Sequence, residues 1–158
     1  MILGGYALPF YGRIRTTIDI DLAVMVKSET ERQQLCKWLQ TIAFDAPIAH
    51  PDNPVIIVVD TKEQVEIELW LKPDGLVFDD ETLSRRRKVR FDEHLEAWII
   101  SPEDFIVNKL ARPDRGAIDE QDVKSVLVRQ RDKLDKDYLT RRAQDAEVLT
   151  VLETIHAS

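Results

Sequence analysis

The sequence predicts an α/β (α+β) domain. A small mixed or antiparallel sheet with flanking helices fills about residues 1–100, and helices fill about 101–158. Three observations carry that expectation. Apolar and β-branched residues alternate with polar ones at 17–26 and 65–71, and a continuous apolar run stands at 55–60. A capped helical pattern lies between the first two runs. From Ser101 onward the apolar residues recur at helical spacing. No linker-like stretch, internal repeat or low-complexity segment divides the chain, so 1–158 reads as a single domain, the default at this length.

Gly4 and Gly5 precede a short helical segment. In "TIDIDLAVMV" (17–26) the period of two places Ile18, Ile20 and Leu22 on one strand face and Asp19 and Asp21 on the other. Ser28 followed by Glu31 is a capping-box signature, and Leu35, Leu39 and Ile42 extend the helix over about 29–43. "VIIVVD" (55–60) and "VEIELWL" (65–71) form a hairpin around the turn Thr61 to Gln64. In the second strand Val65, Ile67, Leu69 and Leu71 share one face, and Glu66, Glu68 and Trp70 share the other. A further short strand pair is expected at 88–91 and 97–100.

Ser101-Pro102-Glu103-Asp104 combines a Ser cap, a proline at the first helical position and acids at the positive end of the helix dipole. The helix it starts carries Phe105, Ile106 and Leu110 and stops near Pro113. A second helix is expected from about Asp119 to Arg131. A third is expected from about Tyr138 to His156, with Leu139, Leu149 and Leu152 inward.

Composition narrows the function. With 44% apolar and 32% charged residues the chain is an ordinary globular protein, and no apolar run reaches the roughly 20 residues of a membrane-spanning helix. The N-terminus lacks a signal-peptide pattern, so a cytoplasmic location is expected. One cysteine, Cys36, rules out an internal disulfide, and His50, His94 and His156 are too dispersed for a local metal motif. Any metal must be held by carboxylates. A net charge of −7 disfavours general nucleic-acid binding, although the basic run Arg85–Arg90 offers a local patch that reads either as a solvated surface or as an acceptor-RNA contact. Trp38, Trp70 and Trp98 read as core or partner-facing residues, and Cys36 as buried and inert.

Asp19 and Asp21, roughly 6–7 Å apart at Cα on one strand face, repel each other unless a cation lies between them. Mg²⁺ prefers such oxygen ligands, shared with substrate phosphates. A third carboxylate from the neighbouring strand, Glu68 or Glu66, completes a site for two ions, the arrangement that clamps the attacking and leaving oxygens in phosphoryl transfer. Backbone N–H groups at Gly4 and Gly5 can cradle phosphate, with Arg13 and Arg15 adding charge-assisted contacts.

Gly4, Gly5, Ala7, Arg15, Thr17, Asp19, Ile20, Asp21 and Leu22 together resemble the signature of the nucleotidyltransferase superfamily. The likeness is greatest to small proteins related to the AbiEii toxins of type IV toxin-antitoxin systems. "SPEDFIVNKLARPDRGAIDEQDV" is similar to that family's later block, in which Lys109, Asp119 and Asp122 fall on a lysine-bearing helix and a following helix with an acid pair. The resemblance implies a nucleotidyltransferase fold and transfer of a nucleotide from a Mg²⁺-bound nucleoside triphosphate to an acceptor hydroxyl on transfer RNA or protein. The protein would then be the toxin held by a cognate antitoxin. It implies catalytic and metal-binding roles for Asp19, Asp21 and Glu68, with Glu66 as the alternative, and nucleotide-binding roles for Gly4, Gly5, Arg15, Thr17, Lys109 and Asp122. Lys109 would contact the triphosphate while Asp122 positions it. Relatives carry a helix upstream of the glycine pair, where this sequence has Met1 to Leu3.

Competing expectations stand beside this one. The same fold can serve as a catalytically inactive nucleotide- or protein-binding module, and clustered acids also occur in metal-dependent phosphodiesterases. Asp119 reads as a helix cap as well as a functional acid. Lys109 lies five and six residues from Asp104 and Glu103, outside the three-or-four spacing that pairs side chains on one helix.

Overall fold

The computed structural model describes residues 1–48 and 50–157. In chain order these residues form α1 (Gly4–Ala7) continued by a 3-10 turn (Leu8–Phe10), then β1 (Ile20–Ala23), α2 (Glu29–Thr41), β2 (Phe44–Asp45), β3 (Val55–Asp60) and β4 (Glu66–Trp70). There follow α3 (Asp80–Arg85), β5 (Arg87–Arg90), β6 (Glu96–Ile99), α4 (Pro102–Ala111), α5 (Ala117–Arg129), α6 (Lys136–Asp145) and α7 (Leu149–Ala157). The fold is mixed α/β, as expected.

The main sheet has the strand order β1-β4-β3-β2. β1 runs parallel to β4, whereas β3 is antiparallel to both β4 and β2. Reaching a parallel partner requires a crossover, and α2 lies within that connection. It seals the sheet face that carries Leu22, Ile56, Val58, Ile67 and Leu69, packing Cys36 and Leu39 against them. The helix starts at Ser28, whose Oγ accepts the Glu31 N–H. Glu31 reaches back to the Lys27 N–H, one residue before the position a standard capping box would use.

β5 and β6 form a separate antiparallel ribbon that Met1–Leu3 joins to the sheet. Ile2 bridges to Leu22 on one side and Ile99 on the other. The Leu3 N–H donates to Asp21 O at 2.9 Å and the Ile2 N–H to Trp98 O at 2.8 Å. Behind the opposite sheet face lies the larger core, where Ala23 and Ile99 meet Phe105, Ile106 and Leu110 of α4, Val123 and Val126 of α5, and Leu139 and Leu152 of the last helices.

Four expectations need correction. The strand expected over 17–26 is ordered as β1 only from Ile20 to Ala23, and Ile18, assigned to the apolar face, is 90% exposed. It precedes the stretch paired to β4 and has no neighbour to cover it. The single helix expected over 138–156 is two helices. α6 ends in a Schellman motif with Glu147 at φ +58°, the Val148 N–H bonded to Ala143 O and the Glu147 N–H to Gln144 O. Glycine is the usual residue at that position, so a glutamate there gave no stop signal. The helix expected from Asp119 begins at Ala117, and Asp119 instead accepts the Gly116 N–H from inside the first turn. Finally, α3 and the two-residue β2 were not expected at all.

Candidate active site

Sheet register places the acids. Asp21 of β1 lies directly beside Glu68 of β4, and residues paired across a ladder share a face. Asp19 sits one alternation earlier. One carboxylate oxygen from each of Asp19, Asp21 and Glu68 lies within 4.8 Å of the others. Glu66 is on the same face but exposed and outside this group.

Asp19 titrates unlike the other two carboxyls. The Thr17 hydroxyl donates to Asp19 Oδ1 at 2.8 Å and holds that carboxyl below its ordinary range. Burial pushes Asp21 up, and the charge of Asp19 adds to the effect. Burial and the neighbouring Asp21 likewise raise Glu68. Trp70 partly relieves this crowding, because its indole N–H donates to Glu68 Oε2 at 2.9 Å and to Asp21 Oδ1 at 3.2 Å. The remaining repulsion suits a divalent cation, and oxygen donors at this spacing fit a hard ion such as Mg²⁺.

Above the acids the glycine pair comes close. Gly4 has φ +53°, and a Cβ there would overlap Asp21 Oδ2. A Cβ on Gly5 would stand 2.5 Å from Thr17 Cβ. Both positions therefore need glycine, one for backbone conformation and both for space.

α4 and α5 supply the cations. Lys109 is buried and donates to Asp119 Oδ1 at 2.8 Å, with Asp122 Oδ2 farther away at 3.7 Å. The expected positioning of Lys109 by Asp122 is thus shared, and Asp119 is the nearer partner. Neither Glu103 nor Asp104 bonds to it; Asp104 accepts the Ser101 and Tyr138 hydroxyls instead. Asp122 is fully buried and chiefly anchors the segment before β1, accepting Arg13 Nε at 2.8 Å and Arg15 Nε at 3.1 Å.

Gly5, Arg15, Thr17, Asp19, Asp21 and Lys109 line a cleft of about 240 Å³, and Glu68 is not among its lining residues. Arg112, Ile118 and Asp119 line it as well. The structure thus brings Gly4, Gly5, Arg15, Thr17 and Lys109 to the acids, whereas Asp122 is buried and reaches the site only through Arg15 and Lys109. None of the residues Arg85–Arg90 lines the cleft: Arg85 bonds to Asp135, Arg86 lies over Trp98, Arg87 over Tyr11, and Lys88 and Arg90 pair with Glu96. Sequence reasoning missed Trp70 as a site residue, and also Arg112. Alternation had already put Trp70 on the Glu68 face, and an indole N–H needing a partner was the available signal.

Among the described residues no helix is long and apolar enough to cross a membrane. A search of curated proteins finds no match to the chain. A family model described as "Nucleotidyl transferase of unknown function (DUF2204)" matches residues 1–151, a span that includes every residue of the cleft. The chain belongs to this nucleotidyl transferase family.

Proposed function

We propose that the protein moves a nucleotide from a Mg²⁺-bound nucleoside triphosphate to an acceptor hydroxyl, with Asp19, Asp21 and Glu68 holding two ions. The observation that carries this reading is the convergence of three carboxylates beneath a side-chain-free glycine turn, with a buried lysine on the facing helix. When bound, the ions supply charge neutralisation at the reacting phosphate. The chain's own groups do the rest. Backbone amides at Gly4 and Gly5, with Arg15 and Lys109, hold the phosphates. Thr17 fixes Asp19 in its ionised form. Glu68 also takes the proton from the acceptor hydroxyl as its oxygen bonds to the α-phosphorus and pyrophosphate departs.

The likeness of the Gly4–Leu22 and Ser101–Val123 blocks to AbiEii-related proteins supports a finer reading: a cytoplasmic toxin held by a cognate antitoxin. Calorimetric titration of each nucleoside triphosphate with Mg²⁺ tests the core proposal. At least one should bind the wild-type protein, and affinity should fall by about 100-fold or more in Asp19→Asn/Asp21→Asn. Mg²⁺-independent binding, or none in the folded protein, overturns it.

A further inference from the structure

Resting on the transfer reading above, we infer that the acceptor is a polypeptide: a basic segment bearing a serine, threonine or tyrosine hydroxyl that lies across the open face of β3 and β4.

The sheet face that carries the acids is only half covered. Register arranges it in rows. Ala23, Trp70 and Val55 form the row nearest the core; Asp21, Glu68 and Ile57 form the middle row; and Glu66, Val59 and Asp45 form the outer row. Ala23 and Trp70 pack against the main core, whereas Ile57 is 45% exposed and Glu66 and Asp45 are exposed. The cleft is lined by Asp19, Asp21, the glycine turn and residues of α4 and α5, and by none of β2 to β4. An acceptor reaching Glu68 from the opposite side therefore crosses Ile57 and Val59.

The strands themselves are acidic on that approach. On this face β1 to β4 carry Asp21, Asp45, Glu66 and Glu68, and the four strands contain neither lysine nor arginine. The adjoining turns add Lys62 and Lys72 but also Glu63 and Asp74. Ions bound by Asp19, Asp21 and Glu68 would offset those three charges, leaving Glu66 and, two strand spacings or about 10 Å away, Asp45. That separation is close to one Debye length at physiological salt, so an approaching chain feels both. Nucleic acid binds by placing phosphates against lysine and arginine, and this face offers its strands' acids instead. The one basic run, Arg85–Arg90, is engaged by Asp135, Glu96, Trp98 and Tyr11 and lies outside the cleft. A lysine- or arginine-flanked peptide complements the acids, and its apolar side chains can cover Ile57 and Val59.

The step balances without a further reagent. The peptide hydroxyl oxygen bonds to the α-phosphorus, the bond from that phosphorus to the β-phosphate oxygen breaks, and pyrophosphate carries away the electron pair. Glu68 receives the hydroxyl proton.

The test uses the full chain, Mg²⁺ and α-phosphate-labelled nucleoside triphosphates, offered in parallel to a hydroxyl-containing peptide library with basic, neutral or acidic flanks and to total transfer RNA. Label is expected on the basic peptides. In Asp45→Lys/Val59→Lys the peptide KM should rise about tenfold while triphosphate affinity, read by calorimetry, stays within about twofold. Label on the RNA and not on peptides overturns the inference and leaves the transfer reading standing. Peptide labelling indifferent to flanking charge, a peptide KM unmoved in the double variant, or Mg²⁺-dependent triphosphate binding with no labelled peptide overturns it too. Loss of triphosphate binding from the wild-type protein is a different failure, which removes the transfer reading and the inference with it.

Discussion

Trp70 shows how much one side chain can settle. Its indole N–H bonds to both raised carboxylates, and its ring packs against the main core, so it ties the position of the acids to the packing of the helices. Trp70→Phe keeps an aromatic ring and removes only the donor. Two crowded carboxylates then lose a fixed partner, which should cost about 1–2 kcal/mol of stability in a urea melt. Groups that orient metal ligands are typically worth 10–100-fold in affinity, so Mg²⁺-dependent triphosphate binding should weaken by roughly that factor. An unchanged affinity would mean that the acids hold their geometry without the indole. At this scale the candidate site was largely legible. Period-two alternation gave the shared face of Asp19 and Asp21 and that of Glu66 and Glu68. The choice between the two glutamates was not legible, because it depends on the parallel register that sets Asp21 beside Glu68. The same holds for Lys109, whose partner Asp119 comes from another helix.

Between elements the decisive contacts join parts of the chain far apart in sequence. The segment from Tyr11 to Arg15 is strapped along α5. Gln130 Nε2 donates to Tyr11 O, Arg129 to Gly12 O and the Arg13 N–H to Ser125 Oγ, while Asp122 takes both Arg13 and Arg15. That strap sets the angle at which the chain enters β1 and so places Asp19. A second clasp joins α3 to α6. Asp79 caps α3 by accepting the Thr82 N–H and also takes Arg142 at 2.6 Å. Burial pushes the Asp79 carboxyl up, but Arg142 and the Thr82 N–H outweigh it and hold it at about 2. Because the folded value lies below the unfolded one of about 3.9, the clasp stabilises above that unfolded value and is lost as pH falls from there through about 2. Asp79→Asn retains a capping oxygen and removes the charge. With Asp79 still 40% exposed the pair is partly screened, so the variant should lose about 1 kcal/mol at neutral pH. Its urea midpoint should also decline less steeply than that of wild type across the acid window. Equal acid slopes would assign that sensitivity to other carboxyls. The starts of α2 and α4 were legible because their caps are local: Ser28 and Ser101 both accept the expected N–H groups. The end of α6 was not, because a glutamate occupies the left-handed position where glycine normally gives the signal.

For the molecule as a whole, the question is whether the sheet and the helical part form one cooperative unit. β1 touches both cores, with Leu22 packed against the α2 cluster and Ala23 buried among the α4 and α5 side chains. Met1–Leu3 adds hydrogen bonds to β1 and to the β5–β6 ribbon at once, and Leu3 is itself buried in the larger core. That stitching could not be read from a three-residue apolar start, since its partners lie some 20 and 100 positions away. Losing β1 would expose apolar surface on both sides, so neither part can open without uncovering the other. The expected outcome is a single unfolding transition, in which the summed fluorescence of Trp38, Trp70 and Trp98, on α2, β4 and β6, and the helical circular dichroism fall with the same urea midpoint. Mg²⁺ that binds only the folded acids should move both midpoints upward together, and should leave Asp19→Asn/Asp21→Asn unmoved. Separate midpoints, or a Mg²⁺ shift confined to the fluorescence, would show that the sheet and the helices are distinct units joined at β1.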